Sequence, residues 1–280
     1  MFTKYKVRIQ MKTLISNMID ALPPLPKTML ELEKYNQLSD KEPLELFNII
    51  CKDPLLISIL LKLSNSVLFG FKNKVETPRK AISLLGVNYT LSVALGYTMK
   101  KSLDTNLRAY GVSSNEFMER CSISSALLTK WFINTDIKLK EKLLLPVFLQ
   151  EAGIFILSNL ASKQGKTDNF NRTLQFNMNR EEVEMEFFET TTSSTTAKIF
   201  RHWNLSENLI NIIEFVDDLD NCPEEYKYEA QILKVIKIAN NLMDPFHEDS
   251  VKDALQKAKE FSLDTISLEK AIIELQNKEL

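Results

Sequence analysis

Apolar residues in this chain recur every three or four positions, and no stretch of useful length alternates apolar and polar residues as a half-buried strand would. Leu14, Ile15, Met18, Ile19 and Leu22 share one helical face. Leu44, Phe47, Ile50 and Cys51 share another, and Leu55, Leu56, Ile59, Leu60 and Leu63 make a wider stripe. Only six glycines and nine prolines punctuate 280 residues, which favours long helices over many tight hairpins. The expected fold class is therefore all-α. At 44% apolar and 26% charged residues, the chain can bury a substantial core.

Local signals place the helices. One is expected over residues 11–21, stopped by Leu22-Pro23-Pro24-Leu25-Pro26, where each proline restricts the residue before it. Another follows over 28–37. Ser39 and Glu42 have capping-box spacing. Asp53-Pro54 and Thr77-Pro78 both read as helix starts, because the first side chain can accept from free backbone N–H groups and proline fits the first turn. Residues 101–114 read as a connection. Helices follow over 115–132 and over 138–160, the latter interrupted near Pro146. Residues 162–176 are polar and read as a loop. The hydroxyl run Thr190–Thr196 is expected to cap and line a helix start. Helices over 181–188, 193–203, 206–215, 229–242, 250–260 and 267–277 complete the chain.

Charge and cysteine usage exclude several function classes. A net charge of -2 gives no field that would favour nucleic acid. The short basic stretch Lys4, Lys6, Arg8 and Lys12 reads as a solvated tail, and Met11 could be the natural start, leaving residues 1–10 as a flexible extension. Cys51, Cys121 and Cys222 form no C-x-x-C pair, which argues against a zinc ribbon and for a reducing compartment. No run of 18 uncharged apolar residues and no signal-peptide core are evident, so no membrane insertion and a cytoplasmic location are expected.

Four ordered motifs carry a family resemblance. They are Leu22-Pro23-Pro24-Leu25-Pro26, then Asp53-Pro54-Leu55-Leu56, then Leu60 to Ser66 ending in Asn65-Ser66, then Ala81-Ile82-Ser83-Leu84-Leu85-Gly86. In this order and spacing they resemble the HDOD family, relatives of the HD and HD-GYP phosphohydrolases. The resemblance implies a multi-helix HD-like bundle with two helical subdomains, residues 11–110 and 111–280, in which one family unit spans about 14–245. It also implies a bacterial regulatory protein, since such proteins are associated with cyclic-dinucleotide signalling, motility and other outputs. Read physically, Asp53 and Pro54 start a helix, Asn65 and Ser66 bond the backbone where it ends, and Gly86 permits a geometry closed to other residues.

The same resemblance locates the positions where an HD hydrolase holds metal. Such an enzyme uses a His, a His-Asp pair and a further Asp, and the ions lower the pKa of the attacking water. Here those positions read Cys121, Gln150-Glu151 and Asn240, with Thr192 and Val216-Asp217 at two further His positions. The chain has two histidines, His202 and His247, and neither precedes an Asp. No catalytic residue, metal or cofactor is therefore expected. Glu151, Asp217, Asp218 and Asp220 could offer oxygen ligands to Mg²⁺, although the cluster at 217–220 reads as a solvated one. No phosphate loop, dinucleotide fingerprint or nucleophile elbow is present, and Cys121 has no His nearby in sequence to serve as its base.

The expected function is a non-catalytic signalling module acting through protein partners, with no nucleic-acid partner. A small-ligand sensor using the vestigial pocket near Cys121, Gln150, Glu151 and Thr192 is one alternative. A divergent metal-dependent phosphohydrolase is another. Asn65, Gln150 and Glu151 are the candidates for contact with a ligand or partner.

Overall fold

The computed structural model describes residues 2–103, 106–133, 137–176 and 179–278, with side chains from residue 11 onward. Among the described residues there are sixteen α-helices, two 3-10 turns and no strand. The first six helices are α1 (Phe2–Asp20), α2 (Lys27–Asn36), α3 (Pro43–Ile50), α4 (Pro54–Ser64), α5 (Pro78–Leu85) and α6 (Val87–Leu103). Then come α7 (Ser114–Trp131), α8 (Ile137–Leu149), α9 (Ile154–Lys163), α10 (Thr167–Phe176) and α11 (Arg180–Phe188). The last five are α12 (Thr192–His202), α13 (Glu207–Glu214), α14 (Glu224–Ala239), α15 (Glu248–Glu260) and α16 (Thr265–Gln276).

Side-chain caps set several of these starts. Asp53 accepts from Leu55 N at 2.9 Å, and Thr77 accepts from Lys80 N at 3.3 Å. Ser113 and Glu116 form a reciprocal capping box at the head of α7. The expected box between Ser39 and Glu42 does not form. Pro43 fixes the first turn of α3 instead, with Glu42 at the cap making no side-chain bond.

Three other boundaries differ from expectation. Helix α1 begins at Phe2, since neither glycine nor proline interrupts residues 2–20. The side chains of Lys4, Lys6 and Arg8, and residues 104 and 105 of the 101–114 connection, lie outside the described residues. Pro146 sits inside α8, where every residue from Leu143 to Leu149 is buried and packing carries the helix past it; the break comes at residues 150–153. Residues 167–176 are helical because Phe170 and Leu174, one turn apart, both reach the core.

Two glycines shape the path of the chain. Gly86, at φ +83°, lets α5 and α6 meet at a bend of 115°. Gly153 lies against the head of α12, where a Cβ would come 2.3 Å from Thr192 O and 2.9 Å from Thr196 N. Its N–H donates to Thr196 Oγ1 at 2.7 Å.

Helix α8 packs on α6 and α7, α16 on α7, and α14 on α15. Trp203 Nε1 donates to Pro23 O at 3.1 Å, tying the proline-rich segment to the end of α12. The stretch Ile137–Lys163 is long and apolar enough to cross a membrane by length and composition, but 89% of its apolar window is buried inside the protein.

Candidate functional site

Of the positions read as vestigial metal ligands, Glu151, Thr192 and Asp217 enter a buried polar network whose positive charge comes from side chains. Lys237 on α14 donates to both oxygens of Asp217, at 2.6 and 2.7 Å. The two side chains are 4% and 1% exposed. Lys234, one turn earlier, pairs with Glu181 and lies 3.4 Å from Asp217. Arg180, the first residue of α11, holds both oxygens of Glu151 at 2.6 and 2.8 Å. Its Nε is 3.5 Å from Glu184 Oε1.

Glu184 is fully buried and surrounded by donors. Tyr110 Oη donates at 3.0 Å, Thr192 N at 2.6 Å and Thr192 Oγ1 at 2.5 Å. Thr192, at the place of a later histidine, thus anchors a carboxylate at the head of α12. Asn240 caps α14, and its Nδ2 donates to Arg120 O at 2.7 Å and Ser124 Oγ at 2.8 Å on α7. Cys121 is buried on the same helix.

The electrostatics follow from burial and pairing. Burial opposes a charge on Asp217, but Lys237 and Lys234 overcome it and hold the carboxyl well below the usual range. Burial likewise opposes a charge on Arg180, yet Glu151 and Glu184 keep the guanidinium protonated. Burial pushes Glu184 up, partly offset by Arg180 and Lys237. It also pushes Glu181 up, and the neighbouring Asp217 charge adds to the effect. Burial and the nearby Glu151 push the Cys121 thiol well up, so it is no ready nucleophile.

These residues do not fit the metal cluster of an HD hydrolase. Three cations, Arg180, Lys234 and Lys237, already neutralise the carboxylates that could serve as ligands. No imidazole enters the network. Among the described residues no group of three His, Cys, Asp or Glu side chains is placed to hold an ion. His202 ends α12 beside Asp20, 3.8 Å away, and His247 caps α15 by accepting from Asp249 N.

Several expectations are refined by this geometry. Asp217 is not a solvated acid, because Lys234 and Lys237 draw it into the interior; Asp218 instead accepts from Asn221. Glu151 is bound to Arg180. Gln150 is 1% exposed, and its Oε1 has no protein partner. Asn65 spends its amide internally: Nδ2 donates to Leu61 O and Val75 O, and Oδ1 accepts from Val75 N.

Arg180, Glu184, Lys234 and Lys237 were missed from sequence. One signal was present: Lys237 stands in Ile232-Leu233-Lys234-Val235-Ile236-Lys237, among residues that are all core apolar apart from the two lysines. A lysine in such a stripe needs a buried partner.

A cleft of about 810 Å³ opens above the network between α10–α11 and α14–α15. Arg180, Glu181, Lys234 and Lys237 form part of its lining, together with Asn241 and Ser250.

The HDOD domain model matches residues 22–219, well over half of the chain, and the chain belongs to the HDOD family. A virulence factor from Campylobacter jejuni subsp. jejuni is 27% identical, covers 94% of this chain and 96% of its own, and superposes with a TM-score of 0.56. An HDOD domain protein of unknown function from Geobacter sulfurreducens is 13% identical, with 98% and 97% coverage and a TM-score of 0.63. A provisionally named phosphohydrolase from Shewanella amazonensis SB2B is 18% identical, with 95% coverage of each chain and a TM-score of 0.69. The last two share the fold. An uncharacterized protein of Treponema pallidum is 22% identical over 235 residues, which span 81% of this chain but 43% of that longer protein.

Proposed function

We propose that this chain is a non-catalytic regulatory module of a bacterial signalling pathway, acting in the cytoplasm through a protein partner. The observation that carries the reading is the neutralisation of Asp217 and Glu151 by Lys237 and Arg180. At the matching positions a hydrolase of the HD type uses imidazoles and carboxylates to grip ions that activate water. Here the carboxylates are held by ammonium and guanidinium groups. We also propose the division into subdomains near residue 110, with output in cyclic-dinucleotide signalling, motility or a related response.

Metal analysis of the purified protein, combined with turnover assays on nucleotides and phosphodiesters, tests the reading. The expected result is neither stoichiometric metal nor turnover. Stoichiometric manganese, iron or magnesium with chelator-sensitive hydrolysis would overturn it.

The cleft favours a second reading, a small-ligand sensor. Its volume suits a metabolite or nucleotide. Its charges are largely paired with one another, which points to a ligand held by hydrogen bonds rather than a highly charged one. A thermal-shift screen of nucleotides and metabolites separates the two readings, since a ligand that binds only the folded state raises Tm.

A further inference from the structure

We infer that the α4–α5 loop and the first turn of α5 form a preformed docking surface for an acidic patch on a partner protein. The inference rests on the proposed regulatory role and names the surface that role would use.

Charge is the first observation. Residues 62–80 carry Lys62, Lys72, Lys74, Arg79 and Lys80 against Glu76 alone, in a chain whose net charge is -2. All five basic residues are exposed. Lys74 lies 3.5 Å from Glu76, and both side chains are exposed. Lys62, Lys72 and Lys80 have no acidic partner among the described residues. Arg79 stacks on the Phe47 ring, 5.0 Å from its centroid, which fixes the guanidinium on this face.

Rigidity is the second. A solvated lysine loop has no need of a fixed shape, but this one is held at its neck, flank and base. Asn65 clasps Val75 across the neck with two hydrogen bonds of 2.8 Å. Ser66 O accepts from Phe69 N and Gly70 N, each at 3.3 Å. The Phe69 ring stacks on Phe71 at 5.9 Å and meets Tyr89 edge-on at 5.2 Å. From the far end of the chain, Lys278 Nζ donates to Leu68 O at 2.6 Å. A surface ordered in advance loses less entropy on binding.

The third observation is apolar. Val67 is 63% exposed in the same loop. Exposed apolar surface on a charged loop suits a protein partner, and the uncompensated positive field selects an acidic one and speeds its approach. A lipid surface would call for free aromatic rings, whereas Phe69 and Phe71 are packed on each other and on Tyr89. Duplex DNA carries the same negative sign and is one of the probes below.

The test uses the full chain and its K72E/K74E/K80E variant as bait in lysate of the native host, with captured proteins identified by mass spectrometry. The expected result is an acidic protein whose capture by wild type weakens with added salt, and whose affinity falls roughly tenfold or more in the variant. Basic substitutions on that partner's acidic face then restore binding to the variant. The three lysines are solvated, so the melting curve of the variant stays close to wild type.

Equal capture of one protein by both baits would sink the docking surface and leave the regulatory reading standing. No specific protein on the wild-type bait would overturn both. Phosphatidylglycerol vesicles and duplex DNA serve as further probes. Binding of either by wild type, lost in the variant and with no protein retained, would replace the acidic partner by a lipid or nucleic-acid ligand.

Discussion

Asn65 and Val75 are joined by a reciprocal pair of hydrogen bonds, Nδ2 to the Val75 carbonyl and Val75 N–H to Oδ1, both 2.8 Å long. The side-chain amide thus imitates a backbone strand partner where no strand exists. Val75 is 2% exposed, so its polar groups have no easy access to water. Asn65→Ala should destabilise the protein by about 2–4 kcal/mol, because two buried backbone groups lose their partner. Urea unfolding measures the loss. Asn65→Asp should cost a similar amount, since it removes the donor and sets a carboxylate beside two carbonyl oxygens. A loss below about 0.5 kcal/mol for both would mean that the clasp does not hold the loop.

The pair formed by Lys237 and Asp217 should behave as a buried ion pair. Lys237→Met leaves the interior carboxylate with only Lys234, 3.4 Å away, and should cost about 3 kcal/mol. Adding Asp217→Asn should recover part of that loss. A double-mutant cycle by urea unfolding reads the coupling, and strictly additive single losses would show that the two charges act independently.

Acid stability should carry the signature of Asp217. Its folded pKa lies below the unfolded value of about 3.9, so between the two the unfolded state binds the additional proton. The stabilisation is complete above the unfolded value and is lost as pH falls through the folded one. Unfolding free energy should therefore drop steeply below about pH 4, and less steeply in Asp217→Asn. Glu181 and Glu184, pushed up by burial, work in the opposite sense at higher pH: their protonation in the folded state offsets part of the loss. Denaturant melts across an acid pH series give both slopes. Equal slopes in wild type and variant would remove Asp217 from the account.

Gly153→Ala should be among the most damaging single-methyl additions. The new Cβ meets backbone atoms of α12, which cannot rotate away as a side chain can. A cost of about 3 kcal/mol or more is expected, at the upper end for overpacked sites. Differential scanning calorimetry would show it as a clear fall in Tm, and an unchanged Tm would mean that α12 shifts freely.

Much of the fold was legible because caps and prolines act locally. Asp53 and Thr77 each mark a helix start through a bond reaching two or three residues along the chain. The polar segment at 167–176 was harder to read, since two core side chains sufficed to hold it helical. The missing imidazoles were plain from residue identity. The cations that replace them were not, because Arg180 meets Glu151 across 29 residues and Lys237 meets Asp217 across 20. Pairings at that range depend on how helices pack, which local spacing does not encode. Asp217 misled for the same reason: its acidic neighbours suggested solvent, and its partners lay on another helix.

The salt-bridged interior also constrains which single substitutions the chain can tolerate. A metal ion can be gained or lost with supply, but Lys237 and Arg180 are present in every copy translated. A variant that held a metal cluster here would have to lose both cations and gain imidazoles. Each step taken alone would strand a buried charge and cost a large share of the marginal stability that proteins hold. The centre therefore changes only in pairs: a charge removed from one helix has to be matched by the loss of the opposite charge it pairs with.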